Sequence, residues 1–223
     1  MKKLILSVLI LGVGPANAGV LPTAGMRPVQ PQPRNTSPNF YITANGGYNF
    51  TMGAIHFSET QNTGFNFDTS APTFGGAIGI DFNRPSVRLE LAVAHTSKAD
   101  VNFDSIMGSE YRLGFTTYTL NVIQYFNLTD NLNLDLMAGI GAANLDMTAQ
   151  YDMGGGNWVS SPGSKPWAFA MNFGVGLDIA LTNKVSFVPQ LKYSMLVGTM
   201  DWAVDTTLWI HNFQGLAGLR LTF

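Results

Sequence analysis

His95-Thr96-Ser97, followed by Glu110, is the part of this sequence that comes nearest to nucleophilic catalysis. A histidine can take the proton of a serine hydroxyl while a carboxylate orients the imidazole, and the i, i+2 spacing places His95 and Ser97 on one face of a strand. The plainer reading of the same residues is a polar rim where a strand leaves a membrane. His56 and His211 have no neighbours at metal-ligand spacing. Gly154-Gly155-Gly156 lacks the strand, helix and lysine of a phosphate loop and reads as a loop tip. With no cysteine, the chain can form neither a thiol nucleophile, a disulfide nor a Cys-ligated metal site. No cofactor or metal is expected.

The elements that must position these residues follow from composition. Only 12% of the 223 residues are charged, 46% are hydrophobic and 24 are glycine, against about 25% charged in a soluble domain. Met1-Lys2-Lys3, the apolar run Leu4 to Val13 and Ala16-Asn17-Ala18 have the three parts of a secretory signal peptide over 1–18. After it, no apolar run reaches the length of about 20 that a membrane helix needs. A chain this apolar without spanning helices has one membrane option, closed β-structure. The formal net charge of −2 gives no basic balance to suggest a nucleic-acid partner.

Residues 19–38 carry five prolines and read as a flexible lead. From residue 39 to 223 the pattern has a period of two. Its clearest stretch sets Trp167, Phe169, Met171, Phe173, Val175, Leu177 and Ile179 against Ala168, Ala170, Asn172, Gly174, Gly176 and Asp178. Seven further segments follow the rule, so the expected fold is all-β, an eight-stranded antiparallel up-and-down transmembrane barrel. Asp81, Arg88, Glu90, Asp135, Asp178, Lys192 and Arg220 fall on the inward parity. They have mixed sign and could pair across the lumen as a structural charge network; the alternative is a narrow ion path.

The fourth segment is irregular, because Tyr111, Leu113 and Phe115 share one parity while Tyr118, Leu120, Val122 and Phe126 share the other. A β-bulge near Thr116 and Thr117 would reconcile them; otherwise the strand starts late. Connections alternate between short ones, at 83–86, 127–131 and 182–184, and long ones, at 51–70, 97–109, 147–165 and 197–207. That is the rhythm of short periplasmic turns and long extracellular loops. Phe65 and Phe67 in the first long loop, Trp158 in the third and Trp202 in the fourth are candidates for anchoring an extracellular ligand.

Tyr41-Ile42-Thr43-Ala44-Asn45-Gly46-Gly47-Tyr48, Met137 to Ala143, Phe173 to Asp178 and Leu216 to Phe223 resemble, in order and spacing, the small outer-membrane barrels that include the opacity proteins, neisserial surface protein A and outer-membrane protein X. The resemblance implies residence in the cell outer membrane, among its lipids and lipopolysaccharide. It also implies that Ala217, Leu219, Leu221 and the terminal Phe223 form the signal read by the barrel-assembly machinery. The family carries no shared catalytic motif. The His95–Ser97 pattern with Glu110 looks somewhat like that of lipid A deacylases, but theirs lies in the last strands and continues His-x-Ser-Asn, where Lys98 stands here. Eight strands enclose a lumen that side chains can fill. The expectation is therefore a non-enzymatic surface protein that presents its loops for envelope integrity and adhesion. A lipid A-modifying hydrolase and a narrow ion channel are the alternatives.

Overall fold

A computed structural model describes residues 37–57, 64–82, 86–103, 109–152, 158–160, 166–201 and 205–223. The expected leader over 1–18 lies outside these residues, as does the proline-rich lead except for 37 and 38. The strands are β1 (Asn39–Phe57), β2 (Gly64–Asp81), β3 (Val87–Phe103), β4 (Ser109–Thr129), β5 (Leu132–Asp152), β6 (Trp158–Ser160), β7 (Trp167–Ala180), β8 (Val185–Asp201) and β9 (Asp205–Thr222). Every pairing is antiparallel, each long strand lies beside its neighbour in sequence, and β9 returns to β1. Eight strands thus close a barrel, while the three-residue β6 pairs with the end of β5. Phe223 fastens the seam, its amide donating to the Phe40 carbonyl at 2.9 Å.

The alternation in the sequence dictates the two faces. Phe40, Ile42, Ile78, Leu91, Leu120, Ile140, Phe173, Leu191 and Leu219 are exposed around the outside, while Tyr41, Thr43, Arg88, Glu90, Asn121, Asp135, Asn172, Lys192 and Arg220 are buried inside. At the short-turn end, the Thr182 hydroxyl accepts from the amides of Lys184 (3.2 Å) and Val185 (3.0 Å), which holds the tight β7–β8 connection.

The strands are longer than the sequence pattern implies. A membrane crossing takes about 9–11 tilted residues, whereas β4 and β5 have 21 each and β1 has 19. Much of what reads as long loop at 51–70, 97–109, 147–165 and 197–207 is strand. The barrel wall continues beyond the apolar belt at the long-connection end.

Along this extension the polarity of the two faces inverts on β2 to β5. Phe67, Val101, Leu113, Phe115, Leu145, Met147, Leu196, Leu208 and Ile210 point inward and form a buried apolar cluster. On β2 to β5 the outer face of the same level carries Asp68, Ser70, Lys98, Asp100, Arg112 and Asp146. Apolar-out and polar-in is the pattern of a barrel in lipid; polar-out and apolar-in is the pattern of one in water. The change marks where the barrel leaves the bilayer.

This inversion replaces the bulge expected in β4. Leu113, Phe115, Thr117, Thr119, Asn121, Ile123 and Tyr125 are all buried on one parity, so β4 runs through 116 and 117 without interruption. The irregularity lies in β3 instead. Between Thr96 and Ala99, β3 has one residue more than β4, and between Thr96 and Asn102 one more than β2. Ser97 and Lys98 occupy that bulge. Lys98 pairs on the outside with Asp146 at 2.8 Å. Because both partners are partly exposed, Lys98→Ala is expected to change unfolding free energy by less than about 1 kcal/mol, measured by urea denaturation in detergent.

Candidate functional site: the filled lumen

At the short-turn end an ionic lattice crosses the lumen. Arg88, on β3, donates through Nε to Asp81 Oδ2 (2.8 Å), through Nη1 to Asp135 Oδ2 (2.8 Å) and through Nη2 to Asp178 Oδ2 (2.7 Å). Arg220, on β9, donates to the same Asp178 oxygen at 2.6 Å and lies 3.5 Å from Asp135 Oδ2. Strands β2, β3, β5, β7 and β9 are thus tied together across the interior. Arg88 also sits over the Tyr125 ring (4.3 Å) and Arg220 over the Tyr41 ring (4.8 Å). The planar guanidinium suits this work, because several in-plane donors can meet several carboxylates at once.

Glu90 and Lys192, which the sequence places with these charges, stand apart from that lattice. Glu90 accepts from the Tyr41 hydroxyl and from Asn121 Nδ2, both at 3.2 Å. Lys192 is buried but joins no ion pair among the described residues. Two glycines make room for these contacts. The Tyr41 ring crosses Gly79, whose added Cβ would lie 2.3 Å from Cζ of that ring. A Cβ on Gly139 would lie 2.0 Å from Asn121 Oδ1, the atom that accepts from Asn172 Nδ2 at 3.4 Å. Gly139→Ala is therefore expected to push Asn121 off both partners and cost about 1–3 kcal/mol, read as a lower urea midpoint in detergent.

Above Glu90 comes a neutral belt. Asn49 donates to Thr96 (3.2 Å) and to Thr51 (3.4 Å), Thr51 donates to Asn212 Oδ1 (3.2 Å), and Thr73 shares a hydrogen bond with Thr96 (3.2 Å). Above the belt lies the apolar cluster. Sequence reasoning missed that cluster and the hydroxyl members of the belt, Thr51, Thr73 and Thr96, while alternation along β1 and β9 places Asn49 and Asn212 inward.

Among the described residues no hydrogen bond joins His95 to Ser97. His95 faces outward; its Nδ1 shares a hydrogen bond with the Thr116 hydroxyl at 3.0 Å and its ring lies against Phe74. Ser97 is in the bulge, which breaks the common face that the i, i+2 spacing implies. The Glu110 side chain lies outside the described residues. Of the recognition candidates, Phe67 is corrected from an exposed loop residue to a member of the internal apolar cluster, 5% exposed. Phe65 lies in β2 and Trp158 in β6, with side chains outside the described residues, and Trp202 falls outside them entirely.

The family model for the outer membrane protein beta-barrel domain matches residues 19–220, nearly the whole chain and all of the lumen just described. The chain belongs to that family. As an outer-membrane barrel it sits in the lipid and lipopolysaccharide of the cell outer membrane, which agrees with the apolar belt around the wall. Its short turns then face the periplasm and its long extensions the exterior. A comparison with curated proteins finds no match. Among solved structures it is similar to neisserial surface protein A (15% identity, 82% of this chain and 97% of that one, TM-score 0.47). It is also similar to the outer membrane protease OmpT of Escherichia coli (13%, 83% and 97%, TM-score 0.48) and to outer membrane protein AlkL (16%, 90% and 97%, TM-score 0.49).

Proposed function

We propose that this chain is a non-enzymatic surface protein, a closed barrel that contributes to envelope integrity and presents its extracellular hairpin ends to a ligand or surface. One observation supports this reading above the others: among the described residues, buried side chains stand at successive levels of the interior. An ionic lattice, a hydrogen-bonded belt and an apolar cluster follow in series. Specific contact then falls to the ends of the extended hairpins, since a rigid frame leaves recognition to its connections. Replacing 58–63, 104–108, 153–157 or 202–204 with short Gly-Ser links is expected to leave the barrel folded and to reduce cell adhesion for at least one replacement. Unchanged adhesion in all four would contradict the reading. The hydrolase alternative predicts a lipid A mass change on expression that Ser97→Ala abolishes; the present reading expects no mass change.

The terminal parity supports a second role. Ala217, Leu219, Leu221 and Phe223 all face outward, on the alternating positions that the resemblance gives to a barrel-assembly signal. Deleting Phe223 is expected to lower the outer-membrane yield in cells far more than it lowers refolding of the purified chain into detergent. Equal losses in both would assign Phe223 to seam stability alone.

A further inference from the structure

Beside the polar extension of β2 to β5, the outer wall of β7, β8, β9 and β1 stays apolar. The line between the two runs along the β1–β2 pairing, where Phe50 stands beside Ser70, Met52 beside Asp68 and Ala54 beside Asn66. From Met52 the apolar side continues in register through His211 and Met195 to Met171, and from Ala54 through Trp209 and Val197 to Phe169. None of the residues in these two rows carries a carboxylate, ammonium or guanidinium group. The one imidazole, His211, has its Nδ1 engaged by the Tyr193 hydroxyl at 2.6 Å, with the two rings stacked. The far edge of the patch falls between β7 and β5, where Trp167 stands beside Asn144 and Asp146 is the next outward residue.

We infer that the barrel leans in the outer membrane towards β7, β8, β9 and β1, so that acyl chains of the outer leaflet cover Met52, Val197 and Trp209 while Asp68, the register partner of Met52, stands in water. A broad exposed apolar patch marks a contact, and this one is continuous with the lipid-facing belt: Phe50, Phe213, Tyr193 and Phe173 form the next row towards the periplasm. The opposite wall is correspondingly short. In the ring of eight, β3 lies opposite β8. The apolar outward run of β3 ends at Val93, six residues beyond Val87, with His95 and Lys98 next, whereas that of β8 continues to Val197, twelve residues beyond Val185. An apolar outline that is high on one wall and low on the wall opposite fits a flat bilayer only when the barrel tilts. A protein partner would account for the patch but not for the shortened run on β3. The lean leaves the wall of β2 to β5 standing further out of the bilayer than that of β8 and β9. The inference rests on residence in the outer membrane and is independent of any role for the connections.

The chain has no cysteine, so Met52→Cys, Val197→Cys, Asp68→Cys and Asp146→Cys can each carry a single nitroxide on the folded full chain in phosphatidylethanolamine–phosphatidylglycerol liposomes. Electron paramagnetic resonance then reads collision with oxygen, which concentrates in hydrocarbon, and with a water-soluble nickel chelate. The ratio of oxygen to nickel collision is expected to be several-fold higher at 52 and 197 than at 68 and 146. The same ratio at all four positions would overturn the lean. Protection of 52 and 197 from both reagents, with spin–spin broadening that vanishes when labelled protein is diluted with unlabelled, would assign the wall to a second copy and overturn lipid as its cover.

Discussion

Arg88→Ala is expected to destabilise the folded barrel by on the order of 3–5 kcal/mol, the cost of leaving buried charges without their partner. Three carboxylates from three strands converge on this one guanidinium, and without it Arg220 alone faces Asp135 and Asp178 while Asp81 loses its ion pair and keeps the Tyr125 hydroxyl, which donates to it at 3.1 Å. The measurement is urea unfolding in detergent, followed by the shift in gel migration between folded and heat-denatured protein. Arg88→Lys should rescue only part of the loss, because an ammonium is a point charge without the in-plane fork. Asp135→Asn in the Arg88→Ala background should restore some stability by removing one unpaired charge. If Arg88→Ala alone left the midpoint unchanged, the lattice would not hold the periplasmic end together.

Phe115→Ala should have a comparable effect at the other end of the lumen, about 3–5 kcal/mol for a large aromatic removed from a packed interior. Phe115 is 2% exposed and clusters with Leu113, Leu145 and Met147. Leu120→Ala, on the same strand but facing lipid at 54% exposure, should cost much less, since lipid chains fill the space that a core cannot. The contrast separates the two accounts of β4. With a bulge at 116 and 117, Phe115 would face outward and the two substitutions would have similar, small effects.

Much of the barrel was legible because a strand in lipid has only two environments. Trp167 to Ile179 alternates cleanly, and its outward and inward sets are those the structure shows. The upper barrel was illegible for a related reason: reading every apolar residue as outward assumes lipid along the whole strand. On β4 the environment changes near Thr116 while the backbone does not, so the apolar parity switches and imitates a bulge. On β3 the environment changes and a real bulge intervenes at Ser97–Lys98. Val87 to Val93 outside and Val101 inside then share odd numbers, and the bulge leaves no trace in the pattern. Phe67 was misplaced by the same inversion, because Asn66, Asp68 and Ser70 around it look like loop.

The candidate site was legible in its membership and not in its pairing. Parity alone places Asp81, Arg88, Asp135, Asp178 and Arg220 inside. Which carboxylate meets which guanidinium depends on register around the closed barrel, and no single strand carries that information. Lys192 and Glu90 look like a pair by sign, yet neutral hydroxyl and amide donors engage Glu90. Of the aromatic faces that receive the arginines, Tyr41 reads as an inward tyrosine and Tyr125 as one of the rim aromatics, and neither carries a sign of its guanidinium.

Closure is the claim on which the rest depends, and single-molecule conductance in planar bilayers tests it most directly. The account predicts that the purified, folded full-length protein inserts without steady current, over voltages at which a porin control conducts. A reproducible ohmic conductance that scales with insertion events would contradict it, showing a continuous aqueous path where the structure places ions, amides and apolar side chains in series.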